Sequence, residues 1–189
     1  DYFMHEHLFN HVDILPENIN IPDGMVSDED LHQSCVDYEM KIKSVGGIDF
    51  QLLGIGRTGH IGFNEPGSHL NSGTRNIKLD HITRVDAASA FLGVDNVPVK
   101  AITMGIGTVR AAKRIVLLAW GANKAEILKK TIEGNMSSHV PATYLQNHEN
   151  TTFVLDQGAS EELTRVKTPC LVTSCIWTET LKLKAVVWL

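Results

Sequence analysis

The chain has 189 residues, of which 43% are hydrophobic and 21% are charged, a composition typical of a globular protein with one sizeable core. Its formal net charge of −5 argues against nucleic acid as a partner, because binding to a phosphate backbone requires clustered Lys and Arg. No apolar run approaches the roughly twenty residues that span a bilayer, and no basic segment followed by an apolar one marks a leader. We therefore expect a cytoplasmic protein without a nucleic-acid or membrane partner.

The first part of the chain is predicted to contain two helices. Residues 1–12 carry a partly apolar stripe at helical spacing, whereas two prolines indicate extended chain at residues 13–24. A second helix is predicted over about residues 27–44, where the hydroxyl of the first serine would cap its start. Gly46 and Gly47 would end this helix. The residues expected to face inward are Leu31, Cys35, Tyr38 and Ile42.

Short apolar runs in the remainder of the chain are predicted to be strands. They lie at residues 48–53, 101–104, 115–120 and 152–155, and a helix is predicted at 123–133. The alternation of strands and helices indicates an α/β fold with a mostly parallel sheet and helices on both faces. Because such sheets bind ligands at the carboxyl ends of their strands, we expect a site in the turns that follow these runs.

The chain is interpreted as a single α/β domain over residues 1–189, because it contains no internal repeat and no low-complexity linker. It starts at Asp1 without an initiator Met and directly in a helical pattern, which we interpret as a cut N-terminus. Residues 181–189 are apolar and contain no Gly or Pro that would stop a helix. We therefore expect the chain to continue beyond them.

A glycine-rich segment, residues 54–68, follows the first predicted strand. Its glycines would let backbone amides approach a ligand closely and form a concave anion site. His60 and Glu65 form a titratable pair in this segment: the imidazole can move protons near neutral pH while the carboxylate orients it. A glycine turn by itself can simply close a tight bend, but its combination with His and Glu at a strand end favours a catalytic site.

Residues 54–66 read Gly-x-Gly-x-x-Gly-His-Ile-x-Phe-Asn-Glu-Pro, a pattern that resembles the signature of the glucosamine-6-phosphate deaminase family. Further matches lie at residues 11–14, 17–20, 83–85, 103–108, 121, 124–125 and 165–168. The resemblance thus covers nearly the whole chain. It implies the fold of that family, a modified Rossmann-like α/β sheet, and a homo-oligomer as the assembled form.

The resemblance also implies a reaction on glucosamine 6-phosphate. The sugar ring opens, a proton moves from C2 to C1, and ammonia leaves to give fructose 6-phosphate, without a metal or an organic cofactor. His60 would be the proton carrier of ring opening and Glu65 its carboxylate partner. Lys124, at the start of a predicted helix that favours anions, would hold the phosphate or stabilise developing charge. The loop residues expected to contact the sugar phosphate are Gly54, Ile55, Gly56 and Arg57.

The chain departs from the family pattern at two positions. Thr58 stands where the family has an Asp that completes a relay with the His. Its hydroxyl can bond to the imidazole but cannot offset the charge of an imidazolium, so ring opening would lose part of the roughly 10²–10⁴-fold contribution of acid–base catalysis. Ser89 stands where the family places a phosphate-binding Arg, and Arg57 is an alternative source of that charge. The family's C2 proton acceptor would precede Asp1, so we do not expect the fragment alone to be a complete catalyst.

Ser68 and Arg75 resemble part of an allosteric site at which some family members bind N-acetylglucosamine 6-phosphate. The residues that follow Arg75 differ from the family pattern, so a plain surface charge is the alternative interpretation of this residue.

Two alternatives to an active deaminase remain open. A diverged protein would bind a sugar phosphate as a sensor, or with weak or different activity, as Thr58 and Ser89 suggest. A 6-phosphogluconolactonase-like hydrolase would share the fold and a similar Gly-x-Gly-x-Asp-Gly-His loop, but the continuation at residues 63–66 argues against it.

Overall fold

The computed structural model describes residues 2–172 and residue 174. The helices are α1 (Tyr2–His7), α2 (Leu31–Ser44), α3 (His81–Ala87), α4 (Ile106–Arg110), α5 (Ala125–Glu133), α6 (Gln157–Ser160) and α7 (Thr164–Lys167). The strands are β1 (Phe50–Leu53), β2 (Arg75–Lys78), β3 (Lys100–Thr103), β4 (Arg114–Ala119) and β5 (Thr151–Leu155). Short 3₁₀ turns lie between them, at Phe9–His11, Pro16–Asn18, Val94–Asn96, Ala122–Lys124, Pro141–Asn147 and Pro169–Leu171.

The strands form two sheets. β1, β4 and β5 pair in that order in a parallel sheet, with Leu53 opposite Leu117 and Leu117 opposite Phe153. β2 and β3 form a separate antiparallel ribbon, with Arg75 opposite Thr103. The parallel main sheet was predicted, but β2 was not, because its sequence Arg-Asn-Ile-Lys is polar and shows no clear alternation. The strand predicted at 101–104 exists as β3, and it pairs with this unpredicted neighbour rather than with the main sheet.

The hydrophobic core lies on one face of the main sheet. Because side chains alternate along a strand, Leu53, Ile115 and Leu117 point to the same side, where they are buried. α4, α5 and the 3₁₀ turn at Pro141–Asn147 contribute the fully buried side chains of Ile106, Leu128 and Leu145 to this core. On the other side of the sheet, Phe50, Leu52 and Val154 keep 53%, 55% and 45% of their surface exposed.

The predicted helices exist, but α2 and α5 start later than predicted and α1 ends earlier. α1 ends at His7 because Leu8 leaves the helical conformation, with φ of −138°. Ser27 caps a turn rather than the helix itself: its hydroxyl accepts from the amide of Asp30, and α2 begins one residue later. The helix predicted from residue 123 begins at Ala125, after a 3₁₀ turn.

The end of α2 and its inward face follow the prediction. The amide of Gly47 donates to the carbonyl of Ile42, and that of Gly46, in a left-handed conformation with φ of 88°, donates to Lys43. This pair of bonds closes the helix. Cys35 is buried, and the other predicted inward residues are partly buried. Within the described residues, no helix has both the length and the apolar character to cross a membrane. The apolar stretch 181–189 lies outside the described residues.

Candidate active site

The glycine-rich loop begins where β1 ends, at the carboxyl edge of the main sheet, as predicted. Two bonds close it on itself: the amide of Gly56 donates to the carbonyl of His60, and that of Gly59 donates to Gly56, each over 3.0 Å. Gly59 has φ of +78°, a conformation that favours glycine. The imidazole of His60 packs directly on Gly56, where a Cβ atom would overlap the ring. The loop therefore holds the His60 ring by steric contact as well as by hydrogen bonds.

The Nδ1 atom of His60 faces three oxygen atoms. Oγ1 of Thr58 lies 3.1 Å away, Oε2 of Glu65 3.3 Å and Oγ1 of Thr83 3.5 Å. The side chains of His60 and Glu65 are only 15% and 13% exposed. Among the residues that the structure describes, none hydrogen-bonds to the other ring nitrogen, Nε2. The ring is thus held through Nδ1, and Nε2 is left to act on a ligand.

Glu65 is held by the first turn of α3. Its Oε1 atom accepts a hydrogen bond of 2.6 Å from the hydroxyl of Thr83 and a longer one, 3.3 Å, from the amide of Asp80. Asp80 is the N-cap of α3, since its own carboxylate accepts from the amide of Ile82. Oε2 is buried and has no aligned hydrogen-bond partner within the described part of the chain. The carboxylate therefore turns one oxygen to α3 and the other to His60.

The surroundings of His60 favour the neutral imidazole. Burial lowers the pKa of His60 below its ordinary value, and the charge of Lys124 lowers it further, while the carboxylates of Glu65 and Asp86 act in the opposite direction without cancelling the shift. A neutral ring at physiological pH can accept a proton at Nε2. Thr58 is consistent with the neutral ring, because its hydroxyl carries no charge, whereas a carboxylate at that position would stabilise the imidazolium.

Lys124 lies beside the loop, at the residue that precedes α5. Its Nζ atom donates a hydrogen bond of 2.8 Å to the carbonyl of Ile55. Gly121 opens the turn with φ of +87°, and the amide of Lys124 donates to its carbonyl. The structure thus brings the predicted cation, the glycine loop and the start of a helix together, a combination suited to an anion.

Arg57 and Ser89 lie farther out. The guanidinium of Arg57 forms a bidentate pair with Asp86 of α3, with Nε 2.9 Å and Nη2 2.6 Å from the carboxylate oxygens. These two side chains are 51% and 43% exposed. Ser89 is exposed just past the end of α3. Arg57 therefore already has an anionic partner on the helix that leads to position 89.

Ser68 and Arg75 lie behind the loop and contact each other. Nη2 of Arg75 donates to the hydroxyl of Ser68 over 3.0 Å, and Nη1 donates to the side chain of Asn64 over 2.8 Å. Asn64 is fully buried and its amide group bonds to the carbonyls of Ile61 and Met104. Arg75 is partly buried, and burial lowers its pKa. It therefore braces the loop from inside the protein, in contrast to a plain surface charge.

Sequence reasoning missed the contribution of α3. Thr83 was noticed only as part of residues 83–85, which match the family pattern. Asp is a favoured N-cap residue, because its carboxylate can accept from the backbone amide two positions later. Asp80 could therefore have identified the start of α3. No sequence signal places Thr83 against Glu65, because the contact joins residues 18 positions apart.

Comparison with known proteins gives a match to one family model and to several relatives. Residues 2–154 match the family model described as glucosamine-6-phosphate isomerases/6-phosphogluconolactonase. A putative glucosamine-6-phosphate deaminase-like protein of Bacteroides thetaiotaomicron is 50% identical over 184 residues, which cover 97% of this chain and 28% of that protein. A glucosamine-6-phosphate deaminase of Oceanobacillus iheyensis is 47% identical over 162 residues, 86% of this chain and 64% of the relative. The chain thus spans less than two thirds of the length of these relatives.

Solved structures confirm the fold. A monomeric glucosamine-6-phosphate deaminase superposes with a TM-score of 0.82 at 43% identity, over 85% of this chain and 66% of the other. A 6-phosphogluconolactonase from Trypanosoma cruzi gives a TM-score of 0.57 at 24% identity, over 75% of this chain and 55% of the other. The second likeness shows the fold alone.

Proposed function

Because the chain belongs to the family of glucosamine-6-phosphate isomerases and 6-phosphogluconolactonases, we propose that it forms the ring-opening part of a glucosamine-6-phosphate deaminase. The observation that carries this proposal is the arrangement of His60: its Nδ1 atom faces Glu65 at 3.3 Å while Nε2 makes no hydrogen bond to the described residues. A ring held in this way can pass a proton between two oxygens of one sugar.

In the proposed reaction, Nε2 of His60 takes the proton from the hydroxyl on C1 of glucosamine 6-phosphate. The bond between C1 and the ring oxygen breaks as the aldehyde forms, and His60 returns the proton to that oxygen. Glu65 stabilises the transient imidazolium across the 3.3 Å contact. The open chain then isomerises by transfer of a proton from C2 to C1, water adds, and ammonia leaves with fructose 6-phosphate as the other product. The net consumption of water places this reaction among hydrolases.

We assign the ring-opening step to residues of this chain. Gly54, Ile55 and Gly56 supply backbone groups to the substrate, and Lys124 supplies positive charge. Arg57 adds positive charge at the exposed rim, shared with Asp86. The family reaction uses neither a metal nor an organic cofactor. A cytoplasmic location, a homo-oligomeric assembly and an effector contact at Ser68 and Arg75 remain predictions.

A diverged sugar-phosphate binder or sensor is the second candidate. Its support is the absence of a carboxylate at Thr58 and of a cation at Ser89. The lactonase alternative has only the likeness in fold.

The test is an assay of the full-length natural protein with glucosamine 6-phosphate, in which ammonia and fructose 6-phosphate are both measured. We expect equal amounts of both products, and we expect His60→Gln to lower kcat by about 10²-fold or more, in line with general acid–base catalysis. His32→Gln, an exposed histidine in α2, is the matched control and should retain wild-type rates. Binding of the sugar phosphate by calorimetry without ammonia release would favour the sensor, and the absence of binding would exclude both.

A further inference from the structure

Thr83 has the contacts of a residue that positions the catalytic pair. It is 7% exposed, and its hydroxyl lies 2.6 Å from Oε1 of Glu65 and 3.5 Å from Nδ1 of His60. It is the side chain through which α3 reaches both members of the pair. A threonine hydroxyl has one hydrogen to donate and two lone pairs with which to accept. Since Glu65 is a carboxylate that can only accept, the single hydrogen goes to Oε1.

Because the Thr83 hydroxyl donates its hydrogen to Oε1 of Glu65, it cannot also donate to Nδ1 of His60. Oε2 of Glu65 is an acceptor, and the oxygen of Thr83 can only accept from Nδ1 once its hydrogen is given to Oε1. A protonated Nδ1 is favourable opposite these two oxygens, whereas an unprotonated Nδ1 would place three lone-pair atoms against one another. The arrangement therefore favours the tautomer with the proton on Nδ1 and leaves Nε2 unprotonated.

Thr58 alone does not determine the tautomer of His60. Its hydroxyl, 3.1 Å from Nδ1, either donates to an unprotonated Nδ1 or accepts from a protonated one. In a relay with a second carboxylate at this position, both neighbours would accept and the tautomer would be fixed from both sides. In this chain the choice depends on Glu65 and on the group that orients it.

We propose that Thr83 is a positioning residue that, through Glu65, fixes the proton of neutral His60 on Nδ1 and keeps Nε2 available as the base. Its catalytic consequence rests on the proposed deaminase function, whereas the tautomer does not. Without the hydroxyl, Oε1 keeps, among the described residues, only the 3.3 Å contact to the amide of Asp80, and the carboxylate is free to turn away from the ring.

The experiment compares Thr83→Val, which keeps the shape and removes the hydroxyl, with Thr83→Ser, which keeps the hydroxyl. The matched control is Thr131→Val, because Thr131 is a fully buried threonine in α5 whose hydroxyl has no hydrogen-bond partner among the described residues. The tautomer of His60 is determined by long-range ¹H–¹⁵N NMR on full-length protein labelled with ¹⁵N-histidine, at a pH where the ring is neutral. The His60 signals are assigned by their loss in His60→Gln.

We expect wild type, Thr83→Ser and Thr131→Val to carry the proton on Nδ1, and Thr83→Val to show a mixture or the opposite tautomer. In parallel, kcat of Thr83→Val should fall about 10–10²-fold, part of the acid–base contribution, while KM changes little. An unchanged tautomer in Thr83→Val, or equal losses in Thr83→Val and Thr83→Ser, would overturn the proposal. If Thr83→Val does not fold, Thr83→Ala takes its place. If wild type releases no ammonia, the proposed function fails and the tautomer alone decides the role of Thr83.

Discussion

Two carboxylates connect the glycine-rich segment to α3 in different surroundings. Glu65 belongs to the segment and bonds to Thr83 of α3, whereas Asp86 belongs to α3 and bonds to Arg57 of the segment. Glu65 is 13% exposed and bonds to a buried hydroxyl, whereas Asp86 is 43% exposed and bonds to an arginine that is 51% exposed. The exposed pair has the shorter and bidentate geometry, but water screens it. The buried pair is less well aligned, yet removal of one atom leaves a polar group without water to replace the lost partner. Distance alone is therefore a poor guide to which contact the molecule depends on.

The largest expected effect is that of Glu65→Gln. The substituted amide can present an N–H group to Nδ1 of His60, which favours the wrong tautomer and removes the charge that raises the pKa of His60. We expect kcat to fall about 10²-fold or more and the acid limb of the residual pH profile to move to lower pH. Steady-state kinetics between pH 5 and 9 would measure both. Glu149→Gln, at an exposed carboxylate, is the control. Equal losses of kcat in the two variants would contradict the distinction between buried and exposed carboxylates.

Glu39→Gln extends the comparison to a partly buried carboxylate away from the site. Oε1 of Glu39 accepts from the hydroxyls of Thr108 and Thr74, at 2.5 and 2.6 Å, and from the amide of Thr74 at 2.7 Å. We expect the free energy of unfolding to fall by about 1–3 kcal/mol, the cost of breaking buried hydrogen bonds to a charged group. Denaturant titration would measure it, with Asp37→Asn, an exposed carboxylate on the same helix, as the control.

The same network gives a pH dependence. Burial opposes ionisation of Glu39, but the hydrogen bonds from Thr108 and Thr74 prevail and lower the pKa of Glu39. A lowered folded-state pKa contributes stability that is present above the unfolded-state pKa and is lost as the pH falls through the folded-state pKa. The difference in stability between wild type and Glu39→Gln should therefore shrink in acid. A difference that stays constant as the pH falls through this range would count against the assignment.

Thr58→Asp places a carboxylate beside the imidazole, since the hydroxyl of Thr58 lies 3.1 Å from Nδ1 of His60. The new charge should raise the pKa of His60, so the acid limb of kcat/KM should move to higher pH. If the hydroxyl limits ring opening, kcat should rise about tenfold, a fraction of a typical acid–base contribution. Thr58→Asn is the uncharged control. A shifted pH limb without a gain in rate would indicate that a different step or a different substrate limits the protein.

Asp86→Asn should have the smallest effect. Exposed ion pairs contribute about 0–1 kcal/mol to stability, so thermal unfolding should change little. Because the carboxylate opposes the lowering of the His60 pKa, its removal should move the acid limb slightly to lower pH. The variant also leaves Arg57 without its anionic partner, and a lower KM for the sugar phosphate would support the rim role of Arg57. A loss of stability as large as that of Glu39→Gln would contradict the interpretation that exposure to water makes the Arg57–Asp86 pair contribute little.

The sequence predicted the proximity of His60 and Glu65 better than it predicted the elements that hold them. His60 and Glu65 were identified because a glycine loop at a strand end is a local pattern, and the main strands because they are apolar runs. β2 and Thr83 were missed for a common reason: each is defined by a partner far along the chain. Arg75 pairs with Thr103 and Thr83 with Glu65, and neither contact leaves a periodic signal. Helix starts were displaced by two to four residues because Ser27 and Gly121 open short turns before the helices begin.

Because the His60 ring packs on Gly56, there is no room for a side chain at position 56. One added methyl group, in Gly56→Ala, would push the imidazole aside while every ionisable group near it stays in the protein. Such a variant separates geometry from charge: the ionisable groups are all present, but the imidazole of the proposed proton carrier is displaced. Under the proposed function, it would be an inactive form with which to capture the closed-ring sugar phosphate.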